Sequence, residues 1–168
     1  MQKLLVKLPS RQRHDKLIRI VEMYATMAVL PDTRIFVTLD EDDGTHDLAM
    51  KLRKWDIVGV DFMVRETKVA AVNYGLQDKR WDVVLVASDD MIPQVRGYDR
   101  TILGDMQEHF PDGDGCLWYH DGHRTDLCTL PVMGRRYFDR FGYVYHPDYK
   151  SYKADDEQHL EAKRLGKL

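Results

Sequence analysis

Val83-Val84-Leu85-Val86-Ala87 is apolar at every position, rich in β-branched side chains, and stops abruptly at Ser88-Asp89-Asp90. A strand with one wet face alternates polar and apolar residues. One without alternation, of strand length, belongs in a sheet covered by helices on both faces. Three earlier segments are also strand-like: residues 3–8, stopped by Pro9; the β-branched run 34–39, leading into Asp40-Glu41-Asp42-Asp43; and residues 57–60. Between the first two, Leu17, Ile20, Val21, Tyr24, Met27 and Ala28 recur at helical spacing. They predict a helix with Ser10 as N-cap that ends before Pro31. Thr45 is placed to cap a second helix reaching about residue 55, and a third is expected over residues 67–77. The order β-α-β-α-β-α-β through Asp90 predicts an α/β fold with a mostly parallel central sheet.

Beyond residue 93 the pattern changes. A helix is expected over 98–110, a turn at Pro111-Asp112-Gly113-Asp114-Gly115, and two strands over 116–119 and 127–132 joined by the polar loop 121–126. A short helix over 135–141, an aromatic-rich irregular stretch over 143–153 and a closing helix over 155–165 complete a mixed back half. No linker or repeat interrupts the chain, so residues 1–168 read as one domain, with halves 1–93 and 94–168.

Composition narrows the function. With 25 basic and 28 acidic residues the formal net charge is -3, without the basic excess of proteins that coat nucleic acid. No apolar run approaches the ~20 residues that span a bilayer, and the apolar stretch at the N-terminus is too short for a signal peptide. Two cysteines, Cys116 and Cys128, make no disulfide framework and are expected as buried thiols, so a reducing cytoplasm is the default compartment.

In open α/β sheets ligands sit beyond the carboxyl ends of the strands. Acids follow two of the four predicted strands there: Asp40 after the second, Asp89 and Asp90 after the fourth. The plain alternative for Ser88-Asp89-Asp90 is a polar strand end that caps the next helix. Acids gathered at one edge repel one another unless a cation or donor relieves them. A sugar nucleotide would use such an edge, because the departing diphosphate needs its charge compensated. Mg2+ or Mn2+ held by one or two carboxylates does this. The sequence has neither GxxxxGK[ST] nor GxGxxG, the backbone devices for phosphate. A phosphorylatable receiver domain is excluded because the first strand ends in Pro9-Ser10 rather than an acidic pair.

The chain resembles the GT-A-fold glycosyltransferases, in particular the small family-2-like ones of phage and bacterial genomes. The resemblance runs through Leu4–Arg11, Thr38-Leu39-Asp40, residues 65–73, Val84–Pro93, Gly97-Tyr98-Asp99, Leu130–Met133, Tyr137–Tyr143, His146–Ser151 and Asp155-Asp156-Glu157. It implies a nucleotide-diphospho-sugar transferase fold and a divalent-metal-assisted hexosyltransferase-like activity, with Mn2+ or Mg2+ as cofactor. Residues 1–93 would bind the nucleotide sugar, a UDP-sugar first, and 94–168 the acceptor: a glycan, a protein or a modified nucleobase. In that pattern Ser88-Asp89-Asp90 resembles the family's DxD motif. Asp90 would be the direct metal ligand, and Asp89 would bind the ribose or assist the metal. Asp40 would read the base, the loop from Pro9 through Ser10 and Arg11 to Arg13 would follow the nucleotide, and Arg65 and Asn73 would touch the donor. Asp155 is the first choice as general base for the acceptor hydroxyl, followed by Asp156 and Glu157. All three equally suit the N-terminus of a helix. Asp121, His120 and His123 share a loop that reads equally as a turn. Family members usually run on into a further strand and often a metal-completing His, whereas this sequence ends at Leu165-Gly166-Lys167-Leu168. The alternatives are completion by another residue, a loosely held metal, or a minimal or truncated form. A GT-A-like module that binds a nucleotide without turnover is the second functional reading.

Overall fold

The computed structural model describes residues 2–43, 46–64 and 66–168. The chain runs β1 (Leu4–Ser10), α1 (His14–Met27), β2 (Arg34–Asp40), α2 (His46–Leu52), β3 (Val58–Met63), α3 (Lys68–Asn73) and β4 (Val83–Val86). It continues with α4 (Tyr98–His109), β5 (Cys116–Leu117), β6 (Val132–Gly134), α5 (Arg135–Phe138) and α6 (Ala154–Arg164). The strands form one six-stranded sheet in the order β3-β2-β1-β4-β6-β5. β1 pairs parallel with β2 and β4, and β2 parallel with β3. β6 is antiparallel to β4, and β5 to β6. This is the α/β architecture read from the sequence, parallel in front and mixed behind.

The apolar strands are explained by two cores. Leu4, Val6 and Leu8 of β1 and Val83 and Leu85 of β4 pack with Leu17, Val21 and Tyr24 of α1, with α2, and with Ile102 and Met106 of α4. Leu5, Val84 and Val86 point the other way, onto Val69 and Val72 of α3, Tyr137 and Phe138 of α5 and Ala162 of α6. Strand side chains alternate between faces, so strands buried on both are apolar at nearly every residue, Lys7 of β1 and Thr38 of β2 being buried polar exceptions. The strand order also dictates where the helices lie. Stepping outward from β1 to β3 puts α1 and α2 on one face. Returning past β1 to β4 with the same right-handed crossover requires α3 on the other face.

Several boundaries differ from the sequence reading. β1 continues through Pro9, paired with Thr38, to Ser10. Pro9 lacks an N–H, but backbone groups on this side face β4, whose pairing ends at Lys7. No ladder bond is lost there. Ser10 does not cap α1. Gln12 takes a positive φ of 55°, which turns the chain so that the helix starts at His14 with Arg13 as N-cap. Thr67 does cap α3, accepting from the Ala70 amide at 3.0 Å. That helix stops at Asn73 rather than residue 77, because Gly75 turns left-handed at φ 71°. The strand expected over 127–132 forms instead at Val132–Gly134, after Pro131. Its earlier part packs inward, with the Cys128 amide donating to His159 Nδ1 at 3.1 Å. Cys116 and Cys128 are buried free thiols. Thr45 and Arg65 lie outside the described residues.

Candidate active site

The strand order reverses between β1 and β4: one leads outward to β2 and β3, the other to β6 and β5. Open α/β sheets bind ligands beyond the carboxyl ends of the strands at such a reversal. A cleft of about 430 Å³ lies there. One side is formed by Pro9 and Ser10 at the end of β1, by Arg11 and Arg13 after it, and by Asp40 at the end of β2. Ala87, Ser88, Asp89 and Asp90 lie beyond β4, and Thr67, Lys68 and Ala71 of α3 face them. Thr129 and Tyr145 close the far end.

The two neighbouring aspartates do different things. Asp89 is buried, 6% exposed. One of its oxygens accepts from the Ser10 hydroxyl at 2.9 Å and the other from Arg13 at 2.8 Å. It therefore ties the loop after β1 to the loop after β4. Asp90 points outward, its side chain 62% exposed, with Arg13 at 4.0 Å. The Ser88 hydroxyl hydrogen-bonds its carboxylate and holds it below the usual carboxylate range. The charges of Lys16 and Arg13 act in the same direction, against partial burial. Asp90 is thus a fixed anion open to solvent. The Ser-Asp-Asp segment caps no helix, since α4 begins only at Tyr98 behind Gly97.

The acids at the end of β2 and just after it are partnered as well. Arg11 pairs with Asp40 and Asp42, both at 3.2 Å, and Asp43 accepts from the Gln12 amide at 2.9 Å. Pro9, Ser10, Arg11, Asp40, Asp89 and Asp90, read as donor and metal residues, all line this cleft. Asn73 does not. Its amide donates to the Tyr145 carbonyl at 2.7 Å and accepts from the Val144 and Tyr145 amides at 2.9 and 3.2 Å. It acts as a staple between α3 and the irregular stretch.

The Asp155-Asp156-Glu157 cluster divides. Asp155 lines a hollow of about 200 Å³ that shares Lys68, Thr129 and Tyr145 with the cleft. Asp156 pairs with Lys153 at 3.5 Å. Glu157 faces a separate depression beside Tyr143 and Phe141, where burial raises its pKa. Asp121 is occupied in a turn: the amides of His123 and Arg124 and the Thr129 hydroxyl all bond to it, at 2.7–2.8 Å. The Arg124 amide is the strongest of these influences, and together they bring its pKa down to about 2. His120 is engaged with the Gly122 amide at 2.9 Å. Residues that sequence reasoning did not assign to the site are Lys68 and Thr129, the latter's carbonyl accepting from the buried Tyr145 hydroxyl at 2.9 Å. They come from distant segments and have no local signature.

No known family model and no curated protein matches the sequence. Solved structures do match. A mannosyltransferase from Pyrobaculum calidifontis, in complex with GDP-mannose and Mn2+, aligns over 99% of this chain with a TM-score of 0.76 and 13% identity. Staphylococcus aureus TarS aligns over 94% with a TM-score of 0.70 and 14% identity. A Drosophila β-1,4-galactosyltransferase 7 mutant, with manganese, UDP-galactose and xylobiose, aligns over the whole chain with a TM-score of 0.65 and 15% identity. The fold is therefore that of the GT-A glycosyltransferases. The chain spans 53%, 55% and 63% of the lengths of those three structures.

Proposed function

We propose that the protein transfers a sugar from a nucleoside-diphosphate donor to an acceptor hydroxyl, with the donor in the cleft between β1 and β4. The observation that carries this reading is the pairing of Asp89, spent on holding two loops together, with Asp90, an ionised carboxylate turned into the same cleft.

The donor set suits an oxygen-loving divalent cation. Among the described residues no three His, Cys, Asp or Glu side chains are gathered closely enough to hold a metal unaided. Mg2+ and Mn2+ commonly take one or two protein carboxylates and fill their remaining positions with water and substrate phosphate. Asp90 supplies such a carboxylate, and Asp89 would join it only if Arg13 withdrew. When bound, the cation stabilises the departing diphosphate as a Lewis acid. Arg13 and Lys68 add positive charge along the same cleft. Asp40 would accept from an N–H of the base, and by the resemblance to the GT-A pattern UDP is the nucleotide we assign.

Transfer breaks the bond between the anomeric carbon and the diphosphate and forms one to the acceptor oxygen, whose proton must leave. Asp155, in the hollow that opens beside Thr129 and Tyr145, takes that proton. Asp156 and Glu157 are turned elsewhere and are not assigned to it.

Calorimetric titration of UDP and GDP, with and without Mn2+, tests the donor site. Manganese-dependent binding of UDP should disappear in Asp90→Ala. Persistence of that binding in the variant would refute the metal role, and tighter binding of GDP would overturn the base assignment. Asp155→Asn should bind nucleotide like the wild type and transfer about 10²–10⁴-fold more slowly. Binding without sugar release to any acceptor would identify a nucleotide-binding module instead.

A further inference from the structure

The Asp90 carboxylate belongs to two spaces at once. Besides the polar donor cleft it borders a groove of about 700 Å³ between α1, α4 and the loops 91–95 and 119–122. The groove is predominantly apolar, with Met91, Ile92, Val95, Tyr98 and Tyr119 along it. Ile92, Val95 and Tyr119 are 46%, 61% and 37% exposed, so three large apolar side chains converge on one open surface. Scattered single exposures need no explanation, but a contiguous apolar patch beside a polar site marks a binding surface. A second observation points the same way. Tyr24, 1% exposed, also lines the groove, and its buried hydroxyl has no hydrogen-bond partner among the described residues. Buried hydroxyls are nearly always partnered, so this one is available to a ligand atom.

We infer that this groove seats the acceptor, and that the acceptor carries an aryl or alkyl group next to its sugar rather than being a wholly polar glycan. The inference rests on the transferase reading above. The groove opens onto the donor cleft at Asp90, so an acceptor sugar lying in the cleft, on the Asp155 side, would lay its substituent along the groove. The lining is predominantly apolar, so the part of the acceptor that it seats is neutral. Asp121, with both oxygens committed, orients the loop and takes no proton.

The test compares p-nitrophenyl and methyl glycosides of a panel of common hexoses, by methyl NMR on the full chain labelled at Ile and Val, with UDP and Mn2+ present. At least one p-nitrophenyl glycoside should shift the Ile92 and Val95 methyls and bind about tenfold or more tightly than its methyl counterpart. Burial of one aromatic ring readily supplies the ~1.4 kcal/mol this factor represents. Val95→Asp, at an exposed position, should weaken that binding about tenfold and leave the UDP titration unchanged. If UDP binds while both glycoside series behave alike, or leave these methyls unmoved, the groove is not an aryl acceptor site and the donor reading stands. If the aryl glycoside binds but no nucleotide does, the donor reading fails and the acceptor assignment fails with it.

Discussion

Asp89 and Asp90 are chemically identical and adjacent, yet the fold gives them different surroundings, and the proposed site gives them different work. Asp89 is buried against Ser10 and Arg13, while Asp90 keeps its carboxylate in solvent with one fixed donor, Ser88. Substitution should separate the roles. Asp89→Ala loses two hydrogen bonds, one of them charge-assisted, and is expected to lower stability by about 1–3 kcal/mol and to weaken nucleotide binding as the loops part. Asp90→Ala should leave stability within about 0.5 kcal/mol, as exposed positions generally do, and remove only the metal-dependent part of binding. Urea unfolding of both variants decides: equal destabilisation would show that the division proposed here is wrong.

Among the elements, α3 has a role out of proportion to its six residues, Lys68–Asn73. Thr67 caps its start, Lys68 and Ala71 face the cleft, and Asn73 at its end secures three backbone groups of Val144 and Tyr145. Tyr145 in turn walls both the cleft and the hollow of Asp155. Asn73→Ala is therefore expected to cost about 2 kcal/mol and to speed amide exchange at Val144 and Tyr145. Unchanged protection at those amides would mean that packing alone holds the stretch. That a helix starts near Thr67 is legible from the apolar-periodic run that follows it. The use of Asn73 is not, because its partners lie some seventy residues away and share no local pattern with it.

At the scale of the whole molecule, the central strand carries a buried charge-bearing group outside the proposed chemistry. Lys7, in the middle of β1, is 0% exposed. Its amine donates to the Thr38 hydroxyl and, at 2.8 Å, to the Tyr74 carbonyl, and lies 4.1 Å from the centre of the Phe36 ring. Burial, reinforced by the charge of Lys79 and opposed by Asp61, brings its pKa down to about 6. The unfolded chain holds this proton up to about pH 10.4, so between the two values the unfolded state binds more protons and stability rises with pH. From pH 6.5 to 8 the rise should approach ~1.4 kcal/mol per pH unit, before the buried Cys128 thiol, whose pKa is raised, begins to oppose it. Lys7→Met should flatten the slope in that window. Parallel pH profiles for the two proteins would contradict the assignment.

The β-α alternation, the double-sided burial of the strands and the acids at Asp40, Asp89 and Asp90 could all be read along the chain. Each is set by local periodicity or by what directly follows a strand. The ends of elements were less legible, because a left-handed Gln12, a turn at Gly75 and the absence of a β4 partner opposite Pro9 depend on how loops meet neighbouring strands. Which aspartate would be buried, which acid of Asp155-Asp156-Glu157 would face the hollow beside the cleft, and that Thr129 and Tyr145 would line both, only the tertiary structure decided. Local sequence determines the direction and burial pattern of a strand. A site is made where strands distant in sequence end side by side, and that meeting is determined by packing and crossover handedness, which no short window of sequence contains.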